Sequence, residues 1–389
     1  MSPRPGFDAE RLRRIGTVLR EDIERGLLPG AVILLCRAGR LAERLVLGTL
    51  GPAGAAPMRA DALFRIYSMT KPLTSVAVLM LMEQGGLSLT DPVADYLPGF
   101  AQMRVARGDR LVAAKRAITL YDLLTRHSGF TYGERSSVAP IREAHLRVGL
   151  AACPRDIAPE DFCAGLAAAP LLHQPGTAWE YGPSTDVLGL VVERVTGQRL
   201  SAFLAERLFA PLGMADTVFS VAAEDLPRLA EPFAGTETLF DASRPPQLDA
   251  GGAGALSTAG DYLRFAEMLR GGGRGLLSPA SLRLMLSDHL GGDDTPGQAA
   301  FQSPGYGYGF GLGVGVRLAD GGAAVPGSAG EFFWPGTAGT TFFVDPARQL
   351  SVVFMAQAPG QVRLRYRRLV RQLVYRALDA TPTLQEHDP

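Results

Sequence analysis

Apolar residues return every three or four positions between residues 8 and 25. Leu12, Ile15, Leu19 and Ile23 share one face, with Asp8 and Gly26 bracketing the run. This spacing predicts an amphipathic helix. The next segment, "GAVILLCRAGRLAERLVLGTL", reads as two strands, 31–37 and 41–48, around a tight Ala-Gly turn. From Met69 to Gln84 the pattern is helical again and stops at Gly85-Gly86, with Pro72 tolerable in the first turn. "AITLYDLLTRHSGF" predicts a short helix ending at a glycine turn. "STDVLGLVVERVTG" (184–197), with Val187, Leu190, Val191 and Val195 on its stripe, predicts another, as do "SAFLAERLFAPLGM" and "STAGDYLRFAEMLRGG". Near residue 305 the period changes to two: "GYGYGFGLGVGVRL" alternates glycine with larger residues, the pattern of a strand with one bare face. "GTTFFVDPARQLSVVFMAQ" predicts a hairpin around Asp345-Pro346. A last helix, 361–379, sets Val362, Leu369, Leu373 and Val374 against six arginines.

Strands at the two ends of the chain make no good core separately. The economical arrangement is one antiparallel sheet built from both ends and flanked by the terminal helices, with a mostly helical domain inserted. The expected division is an α/β sheet domain from 1–67 and 301–389 and a helical domain from 68–300. The active site is expected at the junction, where pockets commonly form.

A chain of 389 residues with 47% apolar residues can build a large core. The formal charge is zero, so the basic excess of a nucleic-acid binder is absent. The three cysteines, Cys36, Cys153 and Cys163, form no tight pair and suggest no disulfide framework. Five histidines lack metal-ligand spacing, so no metal and no cofactor are expected. No apolar leader core opens the chain and no run reaches membrane-spanning length. The expectation is a soluble, cytoplasmic protein that acts on a small molecule, without nucleic acid or membrane; its oligomeric state is left open.

Against this background one short stretch stands out. The chain contains many arginines but two lysines, Lys71 and Lys115, and "YSMTKP" places Lys71 three residues after Ser68. On a helix that is one turn, on the same side. A serine hydroxyl becomes a nucleophile when a base takes its proton, and an amine can serve if its surroundings lower its basicity. Arginine cannot replace it, since its guanidinium keeps its proton. The competing reading makes Ser68 an ordinary N-cap and Lys71 a surface charge, and the three-residue motif alone favours that. Two further segments bear on the choice. Tyr181, in "PGTAWEYGPSTDVLG", is either a packing residue or, beside an ammonium, a phenolate able to relay protons. Trp334-Pro335-Gly336 leads into "TAGTTFFVD", either a plain turn or a strand edge offering an amide to an oxyanion. Pro335 has none to offer, and Thr337 is the expected donor.

Taken together these segments resemble the serine beta-lactamase-like superfamily. The likeness lies near class C beta-lactamases and D-Ala-D-Ala carboxypeptidases and is strongest to family VIII carboxylesterases. It rests on "FRIYSMTKPLTSVAVLMLMEQGGLSLTDPVADYLPGF", "ITLYDLLTRHSGFTYG", "PGTAWEYGPSTDVLGLVVERVTGQ", "GGAGALSTAGDYLRFAEML" and "WPGTAGTTFFVDP", in the family's order across most of residues 10–375. The resemblance implies Ser68 as the acylated nucleophile, Lys71 as its base partner and Tyr181 as the second acid/base. With the donor chosen above, the oxyanion is expected between the amides of Ser68 and Thr337. Two departures shape the expected substrate. Penicillin-recognising relatives carry Tyr-x-Asn, where this chain has Pro183, and Lys-Thr-Gly, where it has Trp334-Pro335-Gly336. Both changes remove polar contacts to a charged, peptide-like substrate, and Trp334 with Gly336 is expected to line the substrate site, a core tryptophan supporting the strand being the competing reading. No Gly-x-Ser-x-Gly elbow is present. The implied activity is hydrolysis of small or short-acyl carboxylic esters. A lactamase or D-Ala-D-Ala peptidase, an acyltransferase and a noncatalytic lactam-like sensor are the alternatives.

Overall fold

The computed structural model describes residues 6–378 except 53, 109, 148, 234, 237, 238 and 292–304. The first helix, Ala9–Glu24, is capped by the Asp8 carboxylate, which accepts from the Arg11 amide. Strands β1 (Gly30–Arg37) and β2 (Arg40–Gly48) follow, turning at Ala38 and Gly39, both with positive φ. Short strands β3 (Phe64–Arg65), β4 (Arg104–Arg107), β5 (Arg110–Ala113) and β6 (Leu256–Ser257) lie in the long central part of the chain. They form two small ribbons, β3 with β6 and β4 with β5, which the periodicity did not reveal because each strand is only two to four residues long. Strands β7 (Tyr308–Phe310), β8 (Gly315–Arg317), β9 (Phe332–Pro335), β10 (Thr341–Asp345) and β11 (Leu350–Ala356) complete the set.

The main sheet has seven strands in the order β2-β1-β11-β10-β9-β8-β7, every neighbouring pair antiparallel. The two chain ends therefore meet in its interior, where Ala31 pairs with Ala356 and Arg37 with Leu350. Alternation sorts β1 onto two cores. Ile33 and Leu35 pack beneath the terminal helices, with Leu12, Ile15, Tyr366 and Val370. Val32 and Leu34 face the larger core that includes Leu73, Val76 and Val187. Burial on both sides explains why β1 reads as a continuous apolar run.

The last helix, Val362–Ala377, does not simply turn its arginines to solvent. Arg371 is buried over the rings of Phe333 and Phe343 and donates to the Glu331 carboxylate at 3.0 Å. Arg365 pairs with buried Asp22, and Arg367 donates to the carbonyl of Gly336 at 3.0 Å. The glycine-rich segment also departs from expectation: it is two strands, β7 and β8, separated by a turn where Gly313 has φ +93°. A Cβ at Gly309 would lie 2.1 Å from Asp288 Oδ1, one at Gly311 2.2 Å from the Met285 carbonyl, and one at Gly313 2.3 Å from Ser75 Oγ. The bare face is thus filled by the protein itself. The expected boundary at 300–301 and the end of the last helix at 379 fall outside the described residues. Among the described residues no helix is long and apolar enough to cross a membrane, and no group of three or more His, Cys, Asp or Glu side chains could hold a metal ion.

Candidate active site

Ribbon β3–β6 delivers the chain to Tyr67, whose φ of +43° is unfavourable for an aromatic residue. The conformation is held from outside: the Tyr67 hydroxyl accepts from the Phe240 amide at 3.2 Å, and the two rings lie 5.2 Å apart. The bend leaves Ser68, half-buried, in a 3-10 turn (Tyr67–Met69) ahead of the helix Thr70–Glu83. Helix and turn are pinned further by Tyr262, which donates to the Met69 carbonyl at 2.7 Å, and by Thr70 Oγ1, which accepts from the Ala255 amide at 3.1 Å.

Lys71 is fully buried, so the surface-charge reading fails. Its Nζ donates to the carbonyl of Gly252 at 2.6 Å and reaches Ser68 Oγ at 3.4 Å. Gly252 is held in turn by its amide, which donates to Asp186 Oδ1 at 2.9 Å, while Thr74 Oγ1 donates to Gly251 at 2.8 Å. Asp186 Oδ2 is buried without a hydrogen-bond partner. Burial pushes the Asp186 carboxyl above its ordinary value, against the pull of Lys71, the Gly252 amide and Arg126.

Tyr181 brings its hydroxyl to 2.8 Å from Ser68 Oγ. Its loop is stitched to the segment after the helix Leu120–Thr125. Glu180 donates its amide to the Arg126 carbonyl at 2.8 Å and accepts from Thr131 Oγ1 at 2.7 Å, and Ser128 and Ser184 hydroxyls lie 2.9 Å apart. The ring sits among Tyr132, Trp179 and Trp334, at centroid distances of 5.7, 6.2 and 5.8 Å. Nζ of Lys71 is 5.0 Å from its centroid and Cζ of Arg126 5.4 Å. Burial would push the phenol up; the charges of Lys71 and Arg126, with the hydrogen bonds of Ser68 and Lys71, outweigh it and hold Tyr181 below its ordinary value.

Strand β9 completes the picture; it runs between β10 and β8, so the strand edge expected here lies inside the sheet. A Cβ at Gly336 would lie 2.4 Å from the Ile66 carbonyl and 2.2 Å from Thr340 Oγ1, so glycine is what lets β9 close on the serine turn. Gly336 acts by this close approach, with its amide bonded to the Thr340 carbonyl at 2.8 Å and its carbonyl occupied by Arg367. Thr337 follows, half-buried, in the turn beside the site. Trp334 corrects an expectation. It is 1% exposed and packs against Tyr181, Phe310 and Phe333, so it supports the tyrosine from within the core and presents no open wall to a substrate. Pro183 begins the helix Ser184–Thr196, and its carbonyl accepts from the Asp186 amide at 2.9 Å.

Three participants were not singled out from sequence. Gly252 and Asp186 lie inside segments that read as a glycine loop and a helix start, and nothing local marks them as Lys71's surroundings. Arg126 had a signal: an arginine where the helix Leu120–Thr125 ends in a left-handed conformation, φ +67°. Burial pushes its guanidinium down from the ordinary value, countered by Tyr181, Tyr132 and Asp186, yet a guanidinium keeps its proton in proteins.

Comparison with known proteins gives the family. The family model described as Beta-lactamase matches residues 16–375. Protein Rv1367c of Mycobacterium tuberculosis is 37% identical over 361 residues, covering 87% of this chain and 88% of that protein. Esterase EstB of Burkholderia gladioli is 34% identical over 367 residues, covering 88% and 89%. Among solved structures, EstCE1, described as a hydrolase with promiscuous acyltransferase activity, superposes with a TM-score of 0.81 at 29% identity, covering 94% of this chain and 98% of its own.

Proposed function

The chain belongs to the beta-lactamase family and is a serine hydrolase, and on that premise we propose that it hydrolyses small, short-acyl carboxylic esters through an acyl-enzyme on Ser68. The observation that carries this reading is the convergence of the Tyr181 hydroxyl, 2.8 Å away, and Lys71 Nζ, 3.4 Å away, on one half-exposed Ser68 Oγ. Tyr181 as phenolate takes the hydroxyl proton while Oγ bonds to the ester carbonyl carbon. The carbonyl oxygen becomes an oxyanion facing the amides of Ser68 and Thr337. Collapse breaks the bond to the alcohol oxygen, which leaves with the proton from Tyr181. Water then attacks the acyl carbon, gives its proton to Tyr181, and the acid departs as Ser68 Oγ takes that proton back. Lys71 supplies positive charge beside both oxygens throughout.

Pro183 and Trp334 favour neutral esters over lactams, because neither can hold an amide or a carboxylate as asparagine and lysine would. The likeness to EstCE1 favours a second outcome for the same intermediate, capture of the acyl group by an alcohol in place of water. The test is a panel of p-nitrophenyl esters of increasing acyl length, with Ser68→Ala as control and an added primary alcohol in parallel. Hydrolysis above the control, greatest for short acyl groups, is expected. Equal rates in the native and Ser68→Ala proteins would overturn the assignment, and ester product growing with alcohol concentration would mark acyl transfer.

A further inference from the structure

Arg126 closes the helix Leu120–Thr125 with φ +67°, a backbone state that glycine or asparagine adopts at far lower cost. Its main-chain duties, an amide bonded to Asp122 and Leu123 carbonyls and a carbonyl accepting from Glu180, need no side chain at all. Yet the side chain is long, charged and 1% exposed. Its Nε and Nη1 are buried without hydrogen-bond partners, and among the described ion pairs none joins it to a carboxylate. A guanidinium buried in this way is costly to the fold. What it does contact is the Tyr181 ring, 5.4 Å from Cζ to centroid, with the Phe310 ring at 5.9 Å on the same charge.

We propose that Arg126 is a positioning residue whose charge, acting through Tyr181, holds that side chain as the phenolate that accepts the Ser68 proton. A phenolate ring attracts a cation far more strongly than a neutral phenol does, so a charge lying over the ring favours the ionised form selectively. Lys71 acts in the same direction from nearer, its Nζ 5.0 Å from the centroid, and Arg126 adds a second charge over the ring. Lys71 directs its shortest hydrogen bond to Gly252, and Arg367, near enough to act on the ring from the last helix, is bonded to Gly336. Asp186, on the helix that follows, brings a carboxyl that opposes ionisation, and Tyr132 meets the ring edge-on as a second phenol. The structural reason for an arginine at a left-handed position is therefore electrostatic, and burial of the cation is what keeps its effect from being screened.

This rests on the reading of Tyr181 as the acid/base of the proposed reaction, and the test separates the two. Tyrosinate ultraviolet absorbance is titrated in the native protein, Arg126→Met and Arg126→Lys, each minus its Tyr181→Phe counterpart, which isolates the Tyr181 signal without any substrate. In the native protein Tyr181 should ionise below the value of about 10 for free tyrosine. In Arg126→Met its midpoint should rise by roughly one pH unit or more, with Arg126→Lys between the two. The acid limb of kcat/KM for a p-nitrophenyl ester should move upward in parallel. An unmoved Tyr181 midpoint in Arg126→Met, or a loss of kcat/KM that is equal at every pH, would overturn the proposal. Should Arg126→Met not fold, the native protein decides, because a Tyr181 midpoint at or above that of free tyrosine refutes it. Absence of esterase turnover in the native protein would reject the esterase reading while leaving the spectroscopic result on Arg126 intact.

Discussion

The phenolic oxygen of Tyr181 lies 2.8 Å from Oγ of Ser68, closer than Nζ of Lys71 at 3.4 Å. In the reaction proposed here the tyrosine makes the direct proton transfer, and the lysine, with its shortest bond to Gly252 at 2.6 Å, serves as charge and anchor.

Tyr181→Phe removes the hydroxyl and keeps the ring, so it should lower kcat by a factor on the order of 10² to 10⁴ with the fold intact. Lys71→Arg keeps a charge but places a larger group in a fully buried site, and it should cost a similar factor. The same change at Lys115, an exposed position just after the β4–β5 ribbon, should be nearly silent. Steady-state kinetics on the three variants check this; a fully active Tyr181→Phe enzyme would contradict the proposed proton transfer.

The pH dependence has a definite sign. Tyr181 is held below its ordinary value and, as the proposed base, should make kcat/KM rise with pH as it ionises and level off afterwards. The acid limb should lie below about pH 10 and vanish in Tyr181→Phe, whatever residual rate remains.

Asp186 carries the opposite shift. Its carboxyl is raised by burial, so its favourable contribution to stability is complete below the unfolded value and is lost as pH rises through the folded one. Asp186→Asn keeps an oxygen for the Gly252 amide and removes the buried charge. Its melting temperature relative to the native protein should therefore improve as pH rises from acid to neutral. Activity should fall, because Gly252 and Lys71 lose the carboxylate beside them. Thermal melts at several pH values, run with the ester assay, test both halves.

Trp334→Ala should cost about 3 to 5 kcal/mol of stability, the range for a buried large aromatic. It should also depress turnover of every ester alike, since what is lost is the support of Tyr181. A raised KM confined to apolar esters, at unchanged melting temperature, would show a substrate wall instead.

Gly336→Ala drives a methyl towards the Ile66 carbonyl and Thr340 Oγ1. The end of β9 must withdraw from the serine turn, and activity should fall on the order of 10²-fold if an oxyanion donor moves by as little as an ångström.

Periodicity made the sheet legible because both of its ends are written in long apolar or alternating runs. The hairpin of β1 and β2 and the helices Ala9–Glu24, Thr70–Glu83 and Ser184–Thr196 lie within two residues of their expected bounds. Ser68, Lys71 and Tyr181 were legible through residue chemistry and a family likeness, and the structure brings the three together. Trp334 kept two readings, pocket wall and core, because a tryptophan on a strand looks the same in sequence whether its face meets a substrate or another ring. Asp186 and Gly252 escaped notice because their roles exist only once two distant segments close around Lys71. The glycines of β7 and β8 were read as open because sequence cannot say which neighbour fills a bare face, and here residues 285–288 and Ser75 do.

The pairing of β1 with β11 also has a temporal side. During synthesis Ser68 and Lys71 leave the ribosome long before Gly336 and Thr337, and β1 has its N-terminal hairpin partner but not Leu350–Ala356 on its other edge. On the proposed mechanism the nucleophile is thus made early and its oxyanion partner late, so a nascent or C-terminally shortened chain would hold a serine and a lysine with no assembled oxyanion hole. Chemistry is switched on only by the closing ladder, and because that ladder joins the most distant parts of the chain, it belongs among the slower events of folding.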